Sequence, residues 1–226
     1  MTRRRYRIRF SKKGNLCFIG HKDLLRTIER LLRRARLPVA MSEGFHPKPR
    51  VSYLSALPLG FSSEDESMEL ILEEDLPASE LCARLNAASV PGLEFLRTVA
   101  LVEKSPKQQA VSFSYAMTYP AAERGMIQSR IDEFFASESV EVVKSNGKVV
   151  EARPHIQELI LDGDTLRMTI ASQDGPEVGV REMIGYLGLE SHLFRTIFPT
   201  RTRSRIADEV DSSGEESSSS SSTSDL

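Results

Sequence analysis

Within the first 38 residues, the spacing of apolar side chains changes once, from alternation to helical spacing. This change constrains the fold more than any other feature of the chain. Residues 3–10, RRRYRIRF, alternate between apolar and basic side chains, which predicts a half-buried strand. Residues 20–38, GHKDLLRTIERLLRRARLP, instead carry apolar side chains at helical spacing and end in proline, which predicts an amphipathic helix. This order of elements indicates a sheet packed against helices.

The same order of elements recurs along the rest of the chain. The segments at 51–58, 67–75 and 91–102 predict strands, and PASELCARLNAA at 77–88 predicts a helix. From residue 110 the pattern repeats as a strand, a helix, several strands with turns, a helix and a closing extended segment. We therefore predict an α+β fold of two tandem ferredoxin-like βαββαβ units with antiparallel sheets, over residues 1–104 and 110–206.

Residues 207–226 have the composition of a disordered tail. They end in SSGEESSSSSSTSDL, which is acidic, rich in serine and nearly free of large apolar side chains. Such a segment cannot bury enough apolar surface to offset the entropy of ordering it. We predict that this acidic, Ser-rich C-terminal tail is disordered.

The composition restricts the class of protein. Apolar residues make up 40% and charged residues 27% of the 226, as in globular proteins with a packed core. No apolar run approaches the roughly 18 residues of a membrane span, and MTRRRYRIRF lacks the apolar stretch of a secretion signal. The expectation is a cytoplasmic protein without a membrane partner.

The sequence patterns of common cofactor and catalytic sites are missing. There is no glycine fingerprint for phosphate binding, no nucleophilic serine or cysteine motif and no cluster of metal ligands. Cys17 and Cys82 match no metal or redox spacing and are expected to be free thiols. We therefore predict no cofactor and no metal.

Charge is distributed unevenly along the chain. Residues 1–50 hold 15 Lys or Arg against three acids, a net charge of +12, whereas residues 51–106 and 107–226 each carry a net charge of −7. The overall charge of −2 hides this asymmetry. A basic block on an acidic chain predicts a local surface for an anionic partner.

The predicted basic helix is the first candidate site. Four of its arginines lie outside the apolar face and are candidate phosphate contacts, namely Arg26, Arg30, Arg33 and Arg34. Glu29 is the only acid between Asp23 and Glu43, so these cations repel one another unless an anion lies opposite. The alternatives are an acidic protein partner and a solvated charged face.

The basic patch has a candidate extension on the predicted strand and a favoured class of ligand. Arg5, Arg7 and Arg9, on the second face of the predicted strand, are candidates to enlarge the basic patch. RNA is favoured over DNA, because ferredoxin-like folds commonly bind single-stranded RNA and the sequence shows no helix-turn-helix or zinc finger.

The loop SEGFHPKPR, residues 42–50, is the second candidate site. Pro47 and Pro49 restrict the backbone, so a ligand would bind with little loss of loop entropy. Phe45 is predicted to stack on a base or another flat ligand, and Lys48 and Arg50 to hold a phosphate. His46 is a further predicted ligand contact of this loop. In the alternative interpretation, Phe45 fills the core and the prolines only shape a connection.

His21 begins the basic helix, with Asp23 in its first turn. A helix N-terminus attracts anions, so His21 is a candidate donor to a bound anion. His21 with Asp23, or His46, is a weak candidate for acid–base catalysis. Capping and local hydrogen bonding are the alternative for His21.

The signature of the first half also resembles a known family. The motifs that carry the resemblance are FSKKG (10–14), GHKDLLR (20–26), RRARLP (33–38), SEGFHPKP (42–49) and ALPLG (56–60). They resemble those of the radical SAM-linked, or radical SAM-associated, proteins, an uncharacterised bacterial family. Gly20 departs from the pattern, in which serine is usual.

The resemblance covers residues 5–105 well and extends more weakly to about 205. It implies a partner, since members are fused to or encoded beside a radical SAM protein, and some accompany a ribonuclease of the E/G type. The chain lacks the C-x3-C-x2-C motif of a radical SAM cluster, so it is not itself a radical SAM enzyme.

The resulting prediction is an accessory RNA-binding protein of a radical SAM system. Its partners are expected to be tRNA or rRNA and a separately encoded radical SAM protein, and no catalytic activity of its own is expected. One alternative is an adaptor that docks a radical SAM enzyme or another acidic partner. The other is an RNA-modifying enzyme that uses His21 or His46.

Overall fold

The computed structural model describes residues 3–102, 105–172 and 178–207, and the first half contains four strands and two helices. These elements are β1 (Arg4–Lys12), α1 (His21–Arg34), β2 (Val51–Tyr53), β3 (Ser62–Leu72), α2 (Ala78–Ala87) and β4 (Leu93–Ala100). A 3₁₀ turn at Gly14–Phe18 joins β1 to α1. The structure thus follows the predicted order of the first half.

The second half contains six strands and two helices within its described residues. They are β5 (Ala110–Thr118), α3 (Arg124–Ala136), β6 (Glu141–Val143), β7 (Val149–Glu151), β8 (Ile156–Asp162), β9 (Thr165–Ala171), α4 (Val180–Tyr186) and β10 (Thr200–Ile206). Short 3₁₀ turns lie at Ala121–Glu123, Arg153–His155 and Glu190–His192.

Eight strands form one sheet in the order β4–β1–β3–β10–β5–β9–β8, with β2 paired to β3, and β6 and β7 form a separate hairpin. Every pairing is antiparallel except that of β3 with β10. The predicted α+β class and mostly antiparallel pairing are confirmed. The two tandem ferredoxin-like units are not confirmed, because β3 and β10 join the halves into one sheet.

The sequence predicts two boundaries, one between the halves of the chain and one before the C-terminal tail. The proposed division between residues 104 and 110 stays a prediction, and Lys104 lies outside the described residues. Ala207 donates its N–H to the carbonyl of Gln109 at 3.1 Å. The predicted disordered tail lies outside the described residues from 208 onward.

Two apolar clusters form the core, one on each half of the sheet. In the first, α1 and α2 pack on β1, β3 and β4, and its fully buried side chains include Tyr6, Ile8, Ile28, Leu31, Met68 and Leu70. In the second, α3 and α4 pack on β5, β8 and β9. Leu57 and Phe61, from the loop between β2 and β3, pack into this second cluster. The loop of the first half therefore helps to fill the core of the second.

Gly60 allows this loop to approach the second half. Its φ is +86°, and an added Cβ would overlap the ring of Phe194. The positive φ and the close ring both favour glycine, which accounts for the last position of the ALPLG motif.

A buried ionic network lies where the halves meet. Arg201 on β10 donates to Glu66 of β3 at 2.9 Å, to the Ser55 hydroxyl at 2.8 Å and to the Tyr115 hydroxyl at 3.1 Å. Its guanidinium lies 4.2 Å from the centre of the Phe113 ring. Burial lowers the pKa of Arg201, but the charges and hydrogen bonds of Glu66 and Tyr115 raise it above its usual value. The network supports a junction at which the backbone register of β3 and β10 pairs only two residues of each strand.

Candidate nucleic-acid interface

The helix α1 separates apolar from basic side chains as its sequence predicts. Leu24, Ile28, Leu31 and Leu32 are buried against the sheet. Gly20 is the N-cap residue and supplies no side-chain cap, whereas Asp23 in the first turn suits the helix dipole. The outer face carries exposed cations at Lys22, Arg26, Arg30 and Arg33.

Among the four predicted helix arginines, all but Arg30 have a hydrogen-bond or ion-pair partner within the described part of the chain. Arg26 pairs with Asp23 at 3.3 Å, and both side chains are largely exposed. The Nε of Arg34 donates to the carbonyl of Ala88 at 2.9 Å, and one of its terminal nitrogens donates to the same oxygen. Arg34 thus ties α1 to the residue that follows α2.

The remaining cations of the outer face have no acidic partner within the described part of the chain. Arg33 donates only to the backbone carbonyl of Glu29, at 3.4 Å. Lys22, Arg30 and Arg36 are exposed and make no ion pair with another described residue. Their charge is therefore available to an external anion.

The arginines of β1 are paired within the protein. Arg7 pairs with Glu69 at 2.9 Å, and both side chains are buried. Arg9 pairs with Asp65 at 3.0 Å, and Arg5 donates to backbone carbonyls of the segment after β4. The prediction that these arginines enlarge the basic patch is wrong, because the antiparallel register places Arg7 directly opposite Glu69 on β3.

The loop of residues 42–50 is closed at its base. Met41 and Pro49 form an isolated antiparallel bridge. The Ser42 N–H donates to the Lys48 carbonyl at 2.8 Å, and the Lys48 N–H donates to the Ser42 hydroxyl at 3.0 Å. These contacts, together with the prolines, restrict the conformations of the loop.

The tip of the loop projects into solvent. Phe45 is fully exposed and follows Gly44, whose φ is +125°. The alternative that Phe45 fills the core is therefore wrong. His46 and Lys48 are also exposed, and their side chains contact no other described residue through a hydrogen bond or ion pair. An aromatic ring of this size in water is a candidate contact for a ligand.

A groove between α1 and the loop brings two predicted cations together. It has a volume of about 250 Å³ and is lined by Glu29, Leu32, Arg33, Leu37, Val39, Met41, Pro47, Lys48 and Pro49. We call it the α1–loop groove. Arg50 lies elsewhere, in a second groove beside Arg5, Glu69 and Lys107. The predicted phosphate pair of Lys48 and Arg50 is thus divided between two grooves.

The histidines do not join this groove. The ring of His21 packs edge-on against that of Tyr53, with centroids 5.7 Å apart, and burial raises the pKa of Tyr53. Asp23 pairs with Arg26, and no hydrogen bond or ion pair joins His21 to Asp23 among the described residues. Neither His21 nor His46 lines the α1–loop groove. His21 and His46 therefore do not share the α1–loop groove with Lys48.

The groove adds Glu29, which is not among the site residues predicted from the sequence. Its carboxylate makes no ion pair with another described residue, although Arg33 follows it by one helical turn. The only signal in the sequence was that a single acid interrupts a run of cations.

Other features of the described residues bear on cofactors and membranes. Residues 3–102, 105–172 and 178–207 contain no cluster of three or more His, Cys, Asp or Glu that could hold a metal ion. No helix in these ranges is both long and apolar enough to span a membrane. Cys17 is buried and Cys82 partly exposed, both as free thiols.

Comparison with known proteins gives a family but no activity. A family model described as "Uncharacterized protein conserved in bacteria (DUF2344)" matches residues 5–180. No curated protein matches the sequence. The matched region includes α1, the loop and both grooves. The link to radical SAM proteins therefore rests on the resemblance of the sequence motifs alone.

Proposed function

The chain belongs to this DUF2344 family of uncharacterised bacterial proteins, and we propose that it binds RNA through the outer face of α1 and the loop of residues 42–50. The proposed RNA is tRNA or rRNA, and the proposed role is that of a cytoplasmic accessory to a separately encoded radical SAM protein. The chain itself would bind and present the RNA without catalysing a reaction.

The uneven pairing of cations is the observation that carries this proposal. The acids of β3 neutralise Arg7 and Arg9 of β1, whereas Arg30 and Lys48 have no such partner in the described chain. Guanidinium groups bind phosphate through forked, charge-assisted hydrogen bonds. An RNA backbone supplies the missing anions along the length of a helix face.

The exposed ring of Phe45 favours nucleic acid over an acidic protein. Aromatic side chains on single-strand binding proteins stack with bases of any sequence. The tied base of the loop restricts the backbone that carries this ring, which reduces the entropy lost on binding.

We also propose that each half is a ferredoxin-like unit. The order β4–β1–β3–β2 in the first half recurs as β10–β5–β9–β8 in the second. In this interpretation, the β6–β7 hairpin is an insertion, and the β3–β10 pairing joins two units side by side.

RNA binding across a salt series tests the proposed function. The purified chain is titrated into a fluorescent single-stranded RNA, and Arg30→Ala/Arg33→Ala is compared with Arg84→Ala/Arg130→Ala. The control pair removes the same charge from exposed arginines of α2 and α3. Each lost phosphate contact reduces the slope of log K against log salt by about 0.7. The slope should therefore be smaller by about 1.4 for Arg30→Ala/Arg33→Ala and unchanged for Arg84→Ala/Arg130→Ala.

The outcomes separate the proposed function from its rivals. Absence of binding by the wild type at low salt refutes direct RNA recognition and favours an adaptor, for which a pull-down of the radical SAM partner is the next experiment. Equal effects of the two double variants refute the proposed surface. Loss of one modified nucleotide in a His46→Ala strain, with RNA binding intact, would favour an RNA-modifying enzyme.

A further inference from the structure

The α1–loop groove has the composition of a site for a flat heterocycle. Its walls are apolar and come from three segments, with side chains Leu32, Leu37, Val39, Met41, Pro47 and Pro49. Its volume of about 250 Å³ lies below the roughly 300–1,000 Å³ of pockets for drug-sized ligands. The groove therefore suits a single base better than a larger cofactor or a bare phosphate.

Three charged residues also line the groove. Arg33 and Lys48 line the groove and contribute positive charge, and Glu29 contributes the single carboxylate. Glu29 and Arg33 have the i, i+4 spacing at which such side chains commonly pair. The Arg33 guanidinium instead donates to the Glu29 carbonyl at 3.4 Å, so the carboxylate keeps its acceptor capacity for a ligand.

We propose that the α1–loop groove binds a single unpaired guanine nucleotide of the RNA. This inference rests on the proposed function and names the nucleotide that its site selects. Glu29 accepts hydrogen bonds from the N1–H and the 2-amino group of guanine, while Arg33 and Lys48 hold an adjacent phosphate. The apolar walls cover the faces of the base.

The chemistry of the base edges gives this selectivity. Guanine presents two adjacent donors on its Watson–Crick edge, which match the two oxygens of a carboxylate. Adenine and cytosine each present one amino donor beside a ring-nitrogen acceptor, and that acceptor repels a carboxylate. Single-stranded RNA is commonly recognised through these edges, and a site built for a hydrogen-bonding group rejects ligands that lack it.

The fixed walls of the groove support the same assignment. The bridge between Met41 and Pro49 and the paired bonds between Ser42 and Lys48 hold the loop side in place. Leu32 is fully buried and is part of the core beneath α1. A groove formed before the ligand arrives pays little of the ordering entropy that otherwise weakens binding.

Base substitution in one oligonucleotide tests the proposal. The probe is a fluorescent RNA of adenine and uracil with one central G, compared with the same RNA carrying inosine or A at that position. A bidentate contact discriminates by about 1–3 kcal/mol, so the G-containing RNA should bind the wild type at least about 5-fold more tightly than the A-containing RNA. Inosine keeps the N1–H but lacks the 2-amino group, so the affinity of the inosine-containing RNA should lie between those of the G-containing and A-containing RNAs.

Two matched variants locate the effect. Glu29→Gln should bring the ratio of G to A affinity close to one without weakening the binding of the A-containing RNA. Glu133→Gln makes the same change at an exposed acid of α3, outside the groove, so it should keep the wild-type ratio. Thermal melts of both variants establish that each is folded.

Failure of the guanine assignment can be distinguished from failure of the proposed RNA binding. If the wild type binds RNA with the expected salt dependence but G and A within 2-fold of each other, the guanine assignment is wrong and the proposed function stands. An unchanged G preference in Glu29→Gln, or its equal loss in Glu133→Gln, also overturns the assignment. If no RNA binds, the proposed function and this inference both fail.

Discussion

Breaking the Arg201–Glu66 pair is expected to destabilise the protein strongly. Both side chains are almost fully buried, at 2% and 5% exposure, and their charged atoms lie 2.9 Å apart. Removing one partner of a buried ion pair leaves an uncompensated charge and costs about 3–5 kcal/mol. That loss is a large part of the roughly 5–15 kcal/mol by which native proteins are stable.

The two single substitutions should differ because of Lys12. Its side chain is buried and its amino group donates to the Ile19 carbonyl at 3.2 Å. Burial lowers the pKa of Lys12, and the nearby charge of Glu66 partly opposes this shift. Glu66→Gln therefore leaves two buried cations, Arg201 and Lys12, without their acid, whereas Arg201→Met leaves Glu66 with Lys12. We expect the first substitution to cost more.

The double variant isolates the interaction between the charges. Glu66→Gln/Arg201→Met removes both members of the pair, so its cost should be smaller than the sum of the two single costs. The free energy of unfolding is measured by urea denaturation followed by circular dichroism. With m-values of about 1–3 kcal/mol/M, a cost of about 3–5 kcal/mol should lower the midpoint of each single variant by about 1–5 M.

A matched surface pair provides the control. Arg130 and Glu133 on α3 also form an ion pair, at 3.3 Å, but both side chains are about half exposed. Exposed pairs contribute about 0–1 kcal/mol, so Arg130→Met/Glu133→Gln should change the midpoint little. Single costs below about 1 kcal/mol at Arg201 and Glu66, or strict additivity of the two, would refute the reasoning.

Three further predictions follow from burial and backbone geometry. Gly60→Ala should destabilise the protein by at least about 1–3 kcal/mol in urea, because its positive φ and the Phe194 ring disfavour a side chain; an unchanged midpoint contradicts this. Burial raises the pKa of Tyr53, so the folded chain keeps the phenol proton above about pH 10, whereas the unfolded chain loses it. The free energy of unfolding should therefore fall by up to about 1.4 kcal/mol for each pH unit above about 10. Melts from about pH 8 to 11 should decline less steeply for Tyr53→Phe, and parallel profiles contradict this cause. A thiol reagent should label the partly exposed Cys82 before the buried Cys17, as measured by peptide mass spectrometry, and equal native rates contradict the difference in burial.

Elements whose signals are local could be predicted from the sequence. The period change at the start of the chain predicts β1 and α1, and the structure has them at Arg4–Lys12 and His21–Arg34. The prolines of the loop likewise predict a restricted connection, and the structure ties that loop at its base. Such signals need only the covalent geometry and side-chain spacing of neighbouring residues.

The candidate site was predictable only in part. The exposure of Arg30, Arg33 and Lys48 follows from their position opposite the apolar face or on a polar loop. The joining of Arg33 with Lys48, and the presence of Glu29 beside them, depends on how the loop packs against α1. No periodicity within either segment reports that packing.

The sequence by itself thus determined the α+β class, the amphipathic α1 and the concentration of positive charge in residues 1–50. Only the tertiary structure decided which of those charges remain available. Arg7 and Glu69 are 62 residues apart in the chain, yet the strand register makes them a buried pair. Charge neutralisation depends on distances in space between strands, and a linear pattern of residue types carries no information on those distances.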